Sequence, residues 1–275
     1  MKRLLESLSS DELSITAELP LNGIQGVEDL RHCVAPLESL VHALHVSDTT
    51  GLTALAVSKL LLDANIDPVM QITAAGRSMR EIEIDIQAAL SMGINSLLLM
   101  KGNTASPGTV SARDMLSLTN QICQEERKRY LAGTIARVFK PMATWEPASL
   151  IEKTNAGATF IKTELCLNPD MLSAYMSHLV RAKIIWRAPV IATIGILTSL
   201  EQAMWVKKHV QGAVIPETVL RRLETAQDPE KEGITIALET METFSEIPGV
   251  AGICIQTPAN ALNIVDVIQQ FLSNR

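Results

Sequence analysis

Aromatic side chains are scarce: 3 Trp, 2 Tyr and 4 Phe make up 3% of 275 residues. Hydrophobic residues still reach 47%, so a core of this size must be aliphatic, built from Leu, Ile, Val, Ala and Met. Cationic excess is also missing. With 24 Lys and Arg against 30 Asp and Glu the net charge is −6, which leaves no basic stripe to neutralise phosphates and excludes a nucleic-acid surface. No stretch approaches the roughly 18 uninterrupted apolar residues of a membrane span. The opening Met1-Lys2-Arg3-Leu4-Leu5-Glu6 has no apolar h-region behind it, so no secretory signal is expected. The four cysteines (Cys33, Cys123, Cys166 and Cys254) form no C-x-x-C pair. That spacing argues against disulfides and a zinc site, and for a reduced, cytoplasmic setting.

What the chain does contain is a regular alternation. The apolar run Leu13-Ser14-Ile15-Thr16-Ala17-Glu18-Leu19 reads as a first strand, residues 27–40 have helical spacing, and residues 43–47 read as a second strand. Asp48-Thr49-Thr50 supplies N-cap oxygens for a helix over about residues 52–63. Residues 68–73 form the third strand, after which Met79, Ile82, Ile86, Ala89 and Leu90 share one helical face. Ser96-Leu97-Leu98-Leu99-Met100 is continuously apolar, as expected where both faces of a parallel sheet are covered. Later strands fall at 131–138, 159–165, 190–194 and 250–255, with extra helices at 200–209, 216–225 and 234–244. Ile264, Ile268, Phe271 and Leu272 mark the buried side of a last helix.

Eight strands alternating with helices close most simply as an α/β (β/α)8 TIM barrel, one domain over residues 1–275. An open doubly wound sheet is the rival. It would carry a G-x-G-x-x-G turn after the first strand, and Pro20-Leu21-Asn22-Gly23-Ile24-Gln25-Gly26 is not one.

In such a barrel Glu18 stands out. A carboxylate near the C-terminal end of the first strand is costly to bury, and that end is where barrel chemistry is done. Two readings follow: a proton-transfer group, or a partly solvated strand-end carboxylate. The five histidines (His32, His42, His45, His178 and His209) lack metal-ligand spacing, and His45 alone is placed toward the mouth. Met171, Tyr175 and Met176 fit a helix face packed on the barrel. Trp145 either caps the mouth or packs a loop.

With these residues in place, the chain resembles the methylenetetrahydrofolate reductase family, in its short bacterial form. Glu18-Leu19-Pro20-Leu21-Asn22-Gly23 is similar to the family's opening segment, and Val46-Ser47-Asp48 to its second strand end. Gln71-Ile72-Thr73, Arg77, Asp85 and Ala89-Leu90-Ser91-Met92-Gly93 follow its third strand and helix. Asn155-Ala156-Gly157-Ala158, Thr198-Ser199-Leu200-Glu201-Gln202, Val214-Ile215-Pro216-Glu217 and Leu223-Glu224-Thr225-Ala226-Gln227-Asp228 agree in order and spacing. The resemblance implies reduction of methylene-tetrahydrofolate to the methyl form through a flavin at the barrel's C-terminal face. It makes Glu18 the acid that opens the methylene bridge, with a raised pKa suited to donation near neutrality. It places Asn103 in catalysis, Gln202, Glu164 and Gln256 at the substrate, and Ser47, Gln71, Thr73, Lys101, Asn103 and Lys153 around the cofactor. FAD is the implied flavin, with FMN or no flavin as alternatives.

Several family positions differ. Lys101-Gly102-Asn103 replaces a run ending in aspartate, so the shape is kept and a charge is lost. Gln71 stands where many members have histidine, and Glu164 replaces a glutamine. That second carboxylate is expected to compensate the charge missing at Asn103. Gln256-Thr257-Pro258-Ala259-Asn260 lacks the family's arginine, and Thr134-Ile135-Ala136-Arg137-Val138-Phe139-Lys140-Pro141 lacks its Tyr-Pro-Glu-x-His run. These departures leave direct NAD(P)H use open and bring in an electron-donating or one-carbon-pathway partner protein. Two alternatives stand beside the reductase: a flavin-independent folate-binding barrel of methyltransferase type, and a non-catalytic subunit. Self-association is expected.

Overall fold

The computed structural model describes residues 3–20, 24, 26–48, 52–102, 110–127, 129–257 and 261–274. Eight parallel strands close in sequence order: β1 Ser14–Glu18, β2 Ala43–Val46, β3 Pro68–Thr73, β4 Ser96–Met100, β5 Leu131–Ala136, β6 Phe160–Leu165, β7 Val190–Gly195 and β8 Val250–Gln256. β8 returns to β1 with Ser14 opposite Gly252 and Ala17 opposite Ile255. This is the expected TIM barrel.

Around it run α1 Leu4–Ser7, α2 Val27–Val34, α3 Ala54–Asp63, α4 Met79–Ser91, α5 Ala112–Glu125, α6 Ala148–Asn155, α7 Pro169–Arg181, α8 Leu200–His209, α9 Glu217–Thr225, α10 Pro229–Ser245 and α11 Ala261–Ser273. The helix after β2 starts at Ala54, two residues later than expected. Thr53 is its N-cap, and Asp48 serves from outside by accepting the Ala54 N–H at 2.7 Å. α7 starts cleanly for two reasons. Pro169 occupies its first turn, where no N–H is needed, and Asn168 Oδ1 accepts the Met171 N–H at 2.9 Å. Asn168→Ala should cost about 1 kcal/mol, read as a lowered urea midpoint.

The core has two shells. The larger lies between strands and helices, where the outward aliphatic residues of each strand meet the apolar faces of the helices, including Tyr175 and Met176 of α7 as expected. The smaller is the bottom of the barrel. Ala43, Val69, Leu98, Leu131, Phe160, Ile191 and Cys254, one from each of β2 to β8, meet Leu4 of α1. α1 is thereby a plug, pinned by the Leu4 N–H on Asp67 Oδ2 at 3.0 Å. Trp145 packs rather than caps: its ring lies 5.5 Å from Tyr175 and 5.0 Å from Phe139.

Candidate active site at the barrel rim

Side chains alternate along each strand, so two residues above the apolar floor the interior changes character. Phe160 on β6 is followed inward by Lys162, with Glu164 beyond it where the pairing with β7 shifts register, and Cys254 on β8 by Gln256. Glu18, the last residue of β1, arrives at the same level with 32% of its side chain exposed. Lys162 Nζ donates to Glu18 Oε1 at 2.6 Å from a side chain only 3% exposed. Gln71 Nε2 donates to the same oxygen at 3.3 Å, and Gln256 adds a further hydrogen bond.

This geometry corrects the expectation of a raised Glu18 pKa. Burial does push the carboxyl up, as its strand suggested. The Lys162 ammonium, its hydrogen bond and that of Gln256 outweigh it and hold Glu18 below the usual carboxylate value. Glu18 is a fixed anion at neutral pH. Burial opposes the charge on Lys162, but Cys254, Glu18 and Glu164 outweigh it and keep the lysine above its ordinary value.

His45 does not face the mouth. It is buried beneath the pair, with Nε2 3.2 Å from Thr16 Oγ1 and Nδ1 without a partner. Burial and the Lys162 charge bring it down to about 3, against the pull of Glu18, so the ring is neutral. Cys254, also buried, is pushed up to about 11, chiefly by burial, and remains a thiol.

Beside this cluster a cavity of about 920 Å³ opens over the ends of β3 to β6. Lys101, Arg113, Arg137 and Lys153 line it against two carboxylates, Glu152 and Glu164. Thr73 contributes to the wall, and so does Thr134, whose buried Oγ1 has no partner. Lys153 Nζ donates to the Ile135 carbonyl at 3.0 Å, and burial lowers its pKa while Glu164 partly restores it. Glu164 Oε2 is buried without a hydrogen-bond partner, under the backbone of Gly212, where a Cβ would fall 1.2 Å from it. Burial raises its pKa despite the charges of Arg137, Lys153 and Lys162.

The structure thus gathers Glu18, Gln71 and Gln256 into one cluster, and Thr73, Lys101, Lys153 and Glu164 around the adjoining cavity. Ser47 is exposed just beyond β2. Gln202 turns to its own loop, its Oε1 accepting the Thr198 N–H at 2.7 Å, and does not line the cavity. Asn103 lies outside the described residues.

Lys162 escaped the sequence reading. Its signal was a lone cation inside an apolar strand, in phase with Glu164 two residues on. Among the described residues no group of His, Cys, Asp and Glu could hold a metal, and no helix is long and apolar enough to cross a membrane.

A closed parallel barrel with charged groups gathered at its C-terminal rim is a TIM-barrel protein whose candidate site lies where that fold places chemistry. Over residues 37–270 the sequence matches the profile described as methylenetetrahydrofolate reductase, and the chain belongs to that family. No curated protein matches it. Among solved structures it is similar to an uncharacterized protein from Clostridium thermocellum that binds two copies of 5-methyl-5,6,7,8-tetrahydrofolic acid. The TM-score is 0.71 at 14% identity, covering 98% of this chain and 99% of that one, a likeness of fold.

The family usually binds FAD, and the cavity's donor set fits the anionic part of such a group. Four cations line the cavity, Arg113 3.7 Å from Glu152, and supply the positive charge a diphosphate calls for. At Gly102, with φ +77°, the chain passes so close to the β3 end that a Cβ would lie 2.6 Å from Thr73 Oγ1 and 2.7 Å from Ala75 Cβ, so only glycine lets this part of the cavity wall seat against β3. Among the described lining residues there is no aromatic ring to stack on a flavin.

Proposed function

We propose that this chain binds a reduced, one-carbon-carrying folate at the barrel rim and reduces its methylene unit to methyl with a flavin held in the adjoining cavity. The observation that carries this is the adjacency of two unlike sites. A cluster of one carboxylate and two amides faces the mouth, and a cation-lined space of about 920 Å³ opens beside it. Glu18, held ionised, accepts hydrogen bonds and therefore suits the N–H edge of a pterin ring, with Gln71 and Gln256 offering amides on either side. Lys101, Arg113, Arg137 and Lys153 would hold flavin phosphates. The flavin, when bound, supplies hydride; the electron donor that refills it is a nicotinamide or a partner protein.

One observation favours a second reading. With Glu18 ion-paired, the acid expected to open the methylene bridge is unavailable, and a barrel that binds methyl-folate without flavin would need none. The Clostridium thermocellum neighbour binds two methyl-folates. In this reading the cavity cations receive folate carboxylates instead of phosphates.

An absorption spectrum of the freshly purified protein, followed by calorimetric titration with 5-methyl-tetrahydrofolate, separates the two. A yellow protein that binds one folate supports the reductase; a colourless one that takes up two supports the binder; a protein that takes up neither ligand sinks both. In the reductase, Arg137→Ala should weaken FAD binding about tenfold or more, the scale of one charge-assisted contact, with folate affinity unchanged.

A further inference from the structure

The reductase reading leaves a proton unassigned, because Glu18 cannot give one, and the rim contains a second carboxyl with different surroundings. We infer that Glu164 is the proton donor that opens the methylene bridge of the bound folate. This rests on the reductase reading and assigns the step that Glu18 was expected to perform.

Three observations converge. Glu164 lies two residues beyond Lys162 near the end of β6, where the pairing with β7 shifts register, and its carboxyl is surrounded by Arg137, Lys153 and Lys162 at the rim. It lines the cavity in which the cofactor and the reacting carbon must meet. Its Oε2 is buried under Gly212 with no hydrogen-bond partner. A carboxylate oxygen without a partner is costly there, while a carboxylic acid is less so and is a donor for a basic nitrogen. The contrast with Glu18 is one of partners. Glu18 accepts from Lys162, Gln71 and Gln256, whereas no hydrogen bond stabilises the ionised form of Glu164 at its buried oxygen. Two carboxyls at one rim, Glu18 and Glu164, with opposed environments divide into an anion and an acid.

The groups that face Glu164 are charged on three elements and neutral on a fourth. Arg137 follows β5, Lys153 comes from α6 and Lys162 from its own strand, each favouring the carboxylate; Tyr175 of α7 stays a neutral phenol, its own pKa raised mainly by burial. Burial outweighs the three cations and leaves the carboxyl above its ordinary value. Those cations oppose that rise and stabilise the carboxylate left after donation.

The step balances as follows. The Glu164 carboxyl proton passes to the bridging amine nitrogen, and the bond from that nitrogen to the methylene carbon breaks with its electron pair going to nitrogen. The other nitrogen then carries the carbon as a methylene iminium. A flavin held in the cavity would supply the hydride that completes the methyl group, and Glu164 regains a proton from water in the open cavity.

The test compares wild type with Glu164→Gln and Glu164→Asp. Turnover of methylene-tetrahydrofolate should fall at least about 100-fold in Glu164→Gln and recover in part in Glu164→Asp, while flavin reduction by dithionite is unchanged. Separately, carbon NMR of protein labelled at the glutamate carboxyl carbon should show one resonance titrating above the ordinary glutamate range that vanishes in Glu164→Gln. This readout needs no turnover. Wild-type turnover preserved in Glu164→Gln, or a Glu164 resonance titrating below the ordinary range, overturns the assignment and leaves the reductase reading standing. A wild-type protein that binds neither flavin nor folate overturns that reading itself, whatever Glu164 titrates to.

Discussion

Glu18→Leu should destabilise the protein by about 3 kcal/mol, whereas Glu18→Leu combined with Lys162→Met should return most of that loss. The reason is asymmetry. Removing the carboxylate leaves the Lys162 ammonium, 3% exposed, without its counter-charge in the interior of the barrel. Breaking a buried pair on one side costs about 3–5 kcal/mol, because the surviving charge keeps its desolvation penalty and loses its attraction. The lower figure applies because Glu18, at 32% exposure, is partly open to solvent and part of the attraction is screened by water. Replacing both partners with apolar groups of similar volume removes both penalties and is commonly neutral or better. Lys162→Met alone should be milder than Glu18→Leu, since the carboxylate it strands reaches solvent. Urea midpoints of wild type, the two single variants and the double variant complete the cycle. A double variant no more stable than Glu18→Leu would mean that the pair is not what holds this layer together.

The same pair sets a pH dependence with a definite sign. Glu18 titrates below its unfolded value, so the stability it contributes is present above that value and is lost as pH falls through its folded pKa. Lys162 titrates above its unfolded value, so its contribution is present below that value and fades as pH rises through the folded one. Glu164 runs the other way from Glu18, and its contribution disappears as pH rises through its raised pKa. Glu18→Leu should therefore flatten the acid limb of the stability profile.

Which parts of this were legible in the sequence follows from the range of the interactions involved. The strands were readable because each is a local apolar run between turn residues, and their number and alternation left few ways to close them. Glu18 was readable as a site residue because its position at a strand end is also local. Its charge state was not. The ammonium that fixes it comes from Lys162, 144 residues away, and only barrel closure brings β6 opposite β1. The desolvation inferred from the apolar neighbours of Glu18 is present, but it is one influence among several and the weaker side of the balance. The direction of the Gln202 side chain was illegible for a related reason. Its place at the start of a helix was correct, yet that place lets its side chain satisfy the loop before it, so the amide oxygen is spent on Thr198. Lys101 and Lys153, which the family resemblance assigned to a cofactor, both line the cavity.

Gly133→Ala is expected to cost about 3 kcal/mol, the upper range for a methyl forced into a filled core, although alanine normally suits a strand at least as well as glycine. A Cβ at this position would lie 2.1 Å from Phe160 Cζ and 2.5 Å from both Cε atoms, so the ring fills the space a side chain would take. Phe160 cannot retreat downward, where Leu4, Val69 and Leu98 close the floor, and Lys162 stands two residues along the same strand. The ring must therefore tilt or β6 must shift. Phe160→Leu in the Gly133→Ala background should restore stability, because the smaller side chain vacates the volume that the methyl occupies. On its own Phe160→Leu should destabilise by leaving a cavity. The consequence reaches the rim, since Phe160 sets the height of the strand that carries both Lys162 and Glu164. In Gly133→Ala the Lys162–Glu18 contact should loosen and the Glu18 carboxyl resonance should titrate higher than in wild type. If stability falls while the Glu18 titration stays fixed, the floor and the rim of the barrel are mechanically independent, and the ion pair is held by the upper layer alone.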